Sequence, residues 1–166
     1  MTATTHTPGH WTVTMADIYA HSPCADGWAK LRKHTGLPAT DNTTPVTLLT
    51  ILGSNGLDDA LWCLRAVKGR DKEIRLYAVW CARQVQPLMT DPRSIAALDV
   101  AERYANGEAT PAELTAAGDA AGDAAWAAAG AAAGAAAWAA ARDAAWAAAR
   151  DAAWATQETK LREIMA

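Results

Sequence analysis

Tryptophan and arginine alternate at every fourth position near the end of this chain, as Trp138, Arg142, Trp146, Arg150 and Trp154. Residues four apart are neighbours on a helix surface, so each arginine lies between two indoles. A guanidinium over an indole is favourable by about 0.5–1 kcal/mol when exposed. Trp and Arg are also the residue types that dominate binding hot spots. The ladder therefore has two readings: internal packing and spacing, in a repeat that arose by slippage, or a grip on a partner.

The same residue types recur earlier, with Trp62 and Arg65 on one predicted helix and Arg75, Trp80 and Arg83 on the next. Two arginines and an indole facing a cleft would suit a nucleotide, the ring on the base and the guanidinium forks on phosphate. The plainer alternative is solvated arginines and tryptophans at the edge of a core.

Other chemistry is poorly provided for. His6, His10, His21 and Cys24 fit no closed zinc spacing, so no metal is expected. The "GSNG" at 53–56 has no strand before it and is not read as a phosphate loop. Neither a nucleophile elbow nor a His-Glu metal helix is present. Asp58 and Asp59 are first-turn acids of the kind the helix dipole favours. No cofactor and no catalytic residue is expected, and the chain is read as a non-enzyme.

The elements that must position these side chains are helices. Thr14 caps a short helix with Asp17 at its third position, Ser22-Pro23 starts another, and Gly36 stops it. Thr44-Pro45 opens "VTLLTIL", which Gly53 closes, and Asn55 caps "GLDDALWCLRAV". "KEIRLYAVWCARQVQPLM" places Ile74, Ala78, Cys81 and Val85 on one face. Asp91-Pro92 opens the next helix, and Asn106-Gly107 ends it. Thr110-Pro111-Ala112-Glu113 is a capping box, after which no proline interrupts the chain to its end. No strand with period-two alternation stands out, although Trp11 to Val13 fits a short extended piece. The expectation is an all-α fold, an antiparallel helical bundle or short helical-repeat stack. Its parts are a flexible N-terminal arm over 1–13, a short-helix core over 14–109, and an Ala-rich helical segment over 110–166.

That last segment is a tetrad repeat. Two of its four-residue rows are alanine throughout, from 116 to 152 and from 117 to 153. Its chemical variety sits in the Leu114-to-Glu158 row and in the adjacent row carrying Asp119, Asp123, Asp143 and Asp151. A strict four-residue step over-rotates by about 40° on a 3.6-residue helix, so the ladder winds around the surface. An unbroken helix would span roughly 80 Å, against a radius of gyration of about 13 Å for a 100-residue core. A break or sharp bend near Gly130 to Gly134 is therefore expected; an unbroken helix would instead favour homo-oligomers through its alanine faces.

Composition narrows the class. The 166 residues carry a net charge of −3, with eleven acids and eleven bases over 1–109 but seven acids and four bases over 110–166. A general nucleic-acid binder needs a basic footprint, and none is present. Ala124 to Ala141 is uncharged but holds no Leu, Ile, Val or Phe, so no membrane span is expected. Three cysteines make no disulfide framework; Cys63 and Cys81 read as buried thiols. The first residues show no signal-peptide pattern, and a cytoplasmic location is expected.

At "LDDALWCLRAV", "EIRLYAVWCAR" and "DPRSIAALDVAERYANGEATPAEL", followed by the Ala/Trp/Arg tetrads, the chain resembles an immunity-protein-like family of small all-α proteins from actinobacteria and their phages. The resemblance runs from about Val46 to Ala166 and excludes the first 40 residues. It implies a phage- or mobile-element-encoded protein that neutralises a toxin or a host defence effector by stoichiometric sequestration. The family pattern carries no functional residues that transfer to this chain. Two alternatives come from the residues themselves: a sponge for a small nucleotide signal, and a self-assembling structural helix.

Overall fold

The computed structural model describes residues 11–133 and 139–165, and only the backbone over 126–133, 139–149 and at 151. The order is β1 (Thr12–Thr14), α1 (Met15–Tyr19), α2 (Ala25–Thr35), β2 (Pro45–Thr47), α3 (Leu48–Asn55), α4 (Leu57–Cys63), α5 (Asp71–Gln84), α6 (Pro92–Ala105), α7 (Pro111–Ala133) and α8 (Ala139–Met165). The fold is all-α apart from one small sheet. Among the described residues no helix is long and apolar enough to cross a membrane.

The chain divides into two compact units, Met1–Gly69 with Glu158–Ala166, and Arg70–Gln157. This division departs from the boundary at 109/110 that composition suggests, because the last residues of α8 belong with the first 69. Of the arm expected over 1–13, residues 1–10 lie outside the described residues. Trp11 and Val13 are buried, at 3% exposure each.

In the first unit, β1 pairs antiparallel with β2, Val13 opposite Val46, and both side chains enter the core. A helix start at Thr44-Pro45 is thereby corrected. The β-branched Val46 and Thr47 extend instead, Pro45 takes a place at a sheet end where its missing N–H costs nothing, and Thr47 caps α3. Gly53 does not end α3, which runs on to Asn55 and closes at Gly56. Ser22 is likewise not the cap of α2. It adopts φ 57°, and the Cys24 Sγ accepts from Gly27 N at 3.4 Å in the cap's place. Met15, Ile18, Leu48, Ile51, Leu161 and Met165 are the largest fully buried side chains.

The Thr14 cap forms as its spacing predicts. Asp17 N donates to Thr14 Oγ1 at 3.1 Å, and Thr14 N donates back to Asp17 Oδ2 at 3.1 Å. Lys68 Nζ lies 2.6 Å from Asp17 Oδ1. The Lys68 ammonium, and after it the Thr14 hydroxyl, hold the Asp17 carboxyl below its ordinary 3.8. A depressed carboxyl stabilises the fold above its unfolded value, and that contribution is lost as pH falls through the folded value. Thr14→Ala is expected to cost about 1 kcal/mol near neutral pH. Asp17→Asn should flatten the loss of stability below pH 3.8. Urea melts from pH 7 down to pH 2 check both, and an unchanged acid profile in Asp17→Asn counts against the cap.

The second unit is a helical hairpin series. Arg103 Nη2 reaches Glu113 at 3.2 Å near the α6–α7 connection, while the Asp123 charge acts on Arg93 at the far end, so α6 and α7 run antiparallel. The α7 capping box is present, with Thr110 N donating to Glu113 Oε2 at 2.7 Å. On α5 the buried residues are Tyr77 and Val79, while Ala78 and Val85 are exposed. The face expected from Ile74, Ala78, Cys81 and Val85 is thus rotated toward Tyr77, whose hydroxyl donates to Gln157 O on α8 at 3.2 Å. Gly130 lies within α7, and 134–138 lie outside the described residues, as does the expected break there.

Candidate functional site

Of the ladder, Trp138 and the side chains of Arg142 and Trp146 lie outside the described residues. Arg150 and Trp154 are described, and they sit as the four-residue spacing requires. The guanidinium of Arg150 lies 5.6 Å from the centroid of the Trp154 ring, and the indole is 43% exposed. The other described indoles, Trp11, Trp28, Trp62 and Trp80, are buried or half-buried. Trp154 thus shows water a large apolar ring that the fold leaves uncovered.

Of the five residues considered for an anion, Trp62 and Arg65 lie in the first unit and Arg75, Trp80 and Arg83 in the second. Arg65 folds back on its own helix, Nε donating to Trp62 O at 2.8 Å with the guanidinium 4.3 Å over the Trp62 ring. In the second unit, Arg75 lies 4.9 Å over Tyr104, and Trp80 stacks on Tyr77 at 6.3 Å. Arg83 is neutralised from α6, by Asp99 at 2.8 Å and Glu102 at 2.7 Å, and it also donates to Gln86. Those two carboxylates, Glu102 first, raise the Arg83 value further. A guanidinium so paired holds a helix hairpin together and has no fork left for phosphate.

Trp62 instead walls a cavity of about 110 Å³ with Trp28, Ile18, Leu31 and Ile51. That is small beside the roughly 300–1,000 Å³ of typical ligand pockets. Its polar edge is already satisfied: Asn55 Nδ2 donates to Gly27 O at 2.9 Å and to Asp59 Oδ2 at 2.7 Å. Asn55 was expected to cap α4. It ties α2 to α4 instead, and Gly56 takes the cap without a side-chain bond. Burial, and secondarily the Asp59 charge, push the Cys63 thiol up to about 11, so it is no nucleophile at neutral pH. Among the described residues no three His, Cys, Asp or Glu side chains gather as metal ligands.

No family model, curated protein or solved structure matches this chain.

One further cluster escaped the sequence reading. Tyr19, Trp28, Arg32, Lys33 and Asn42 line an open groove of about 820 Å³ in the first unit. The Tyr19 and Trp28 rings lie 5.5 Å apart at 52°, and Arg32 sits 4.9 Å over Trp28. The Trp28–Arg32 spacing is the same i, i+4 step as in the C-terminal ladder, so a signal existed. Tyr19 comes from another helix, and nothing local announces it.

Proposed function

We propose that this protein is a non-catalytic binding protein that sequesters a protein partner one-to-one. The partner is a toxin or defence effector, as the immunity-protein-like resemblance implies. The observation that carries this reading is the Arg150–Trp154 pair: a 43% exposed indole with a guanidinium beside it on a regular helix. Holding both side chains on one helix lowers the entropy cost of ordering them at an interface, and residues of these types supply most of the energy in measured interfaces.

Immobilised protein incubated with lysate of its host should retain one dominant partner at a one-to-one ratio. The Trp154→Ala, Arg150→Ala double variant should lose that partner while its melting temperature stays near that of the unaltered chain, since both residues face solvent. Undiminished retention by the variant would count against α8 as the contact surface. Sedimentation of the protein alone separates this from self-assembly, which would show as a dimer or larger species without partner.

A further inference from the structure

The groove of the first unit sets aromatic rings and cations around one concave surface. Its volume of about 820 Å³ falls in the range of about 300–1,000 Å³ that holds small ligands. Tyr19 is 67% exposed at its wall, its ring tilted 52° against that of Trp28. Arg32 and Lys33 line it, and among the described residues no carboxylate does. Arg32 donates to Pro38 O, Ala39 O, Asp41 O and Asn42 Oδ1, all neutral acceptors. Among the described residues neither Arg32 nor Lys33 forms an ion pair. The groove thus gathers two cations that form no ion pair among the described residues, on a chain of net charge −3. Such a cleft focuses positive potential and draws anions.

Ring faces select a planar partner and the cations select an anion. A nucleoside phosphate joins both in one molecule. We infer that this groove binds a nucleoside monophosphate, with the base against Tyr19 and the phosphate at Lys33. Arg32 has most of its donors engaged by the 38–42 loop, so it supplies positive field and holds the groove wall, while the exposed Lys33 ammonium makes the contact. The groove lies in the first unit, whereas Arg150 and Trp154 lie in the second, and Trp62, Arg65, Arg75, Trp80 and Arg83 do not line it.

The test is calorimetric titration of the full chain with AMP, adenosine and inorganic phosphate, each to 5 mM. AMP is expected to bind with a Kd below about 1 mM, and phosphate alone far more weakly. Tyr19→Ser should weaken both AMP and adenosine by about tenfold, the scale of one base–aromatic stack. Lys33→Glu should weaken AMP by about fivefold or more and leave adenosine unchanged, because only the phosphate meets the charge. Both side chains are exposed, so each variant folds, and Trp154→Ala should leave AMP binding as it was. No heat with AMP at 5 mM, binding indifferent to both groove variants, or displacement of AMP by hexaglutamate would each overturn the assignment.

Discussion

Leu161→Ala is expected to destabilise the protein by about 2–5 kcal/mol, the range for removing a leucine from a fully packed site. Leu161 lies in the last turns of α8 and is 0% exposed, as is Met165 one turn on. Both belong to the unit whose other fully buried large side chains are Met15, Ile18, Leu48 and Ile51, from the first third of the chain. A core of that size loses a large share of its packing with one side chain, since small domains are only marginally stable. Leu161→Met conserves volume and should cost less than about 1.5 kcal/mol. Arg162→Ala, next to it but exposed and paired within its own helix to Glu158 at 2.8 Å, should stay within about 0.5 kcal/mol. Denaturant melts of the three variants check the series. If Leu161→Ala unfolds where Arg162→Ala does, the end of α8 is not part of that core.

Gly27→Ala is expected to destabilise by about 1–3 kcal/mol, the scale of overpacking. The sign alone is informative, because alanine ordinarily gains about 0.5–1 kcal/mol over glycine inside a helix. A methyl on Gly27 would stand 2.8 Å from Asp59 Oδ2 and 3.1 Å from Cys24 Sγ. The carboxylate cannot simply swing aside, since Asn55 Nδ2 holds the same oxygen at 2.7 Å, and Asn55 is itself anchored by Ser54 at 2.7 Å. Asp59→Ala in the Gly27→Ala background should therefore recover part of the loss, a coupling of at least about 0.5 kcal/mol in a double-mutant cycle. Strict additivity would show that crowding at Asp59 is not the cause.

Local signals proved dependable where one turn of chain contains both partners. The caps at Thr14, Asp91 and Thr110 and the left-handed stop at Gly36 formed where residue type and spacing placed them. So did the Arg150–Trp154 stack, whose geometry is a property of helix pitch. Signals failed where neighbouring residues allow two local conformations. Thr44-Pro45 reads as a helix start, and pairing with β1 made it the end of a strand instead. Ser22 and Cys24 both offer a capping side chain, and the chain took the one whose backbone is extended. The pairing of Arg83 was illegible for another reason. Arg83 carries no mark in its own helix of the acids it will meet, because Asp99 and Glu102 lie one helix further on.

What this chain's order of residues settled alone is its helical class, most of its helix ends and the spacing of its cation–indole pairs. All of these depend on dihedral preferences and contacts within four residues. Only the tertiary structure decided that Leu161 and Met165 close a core begun at Trp11, that Trp154 among the described indoles faces water, and that Tyr19 meets Trp28 in a groove that Arg32 and Lys33 also line. Each of those facts joins segments far apart in the chain or depends on what packs against a face. Burial and neighbouring charge are properties of the assembled fold, and no periodicity in one segment encodes them.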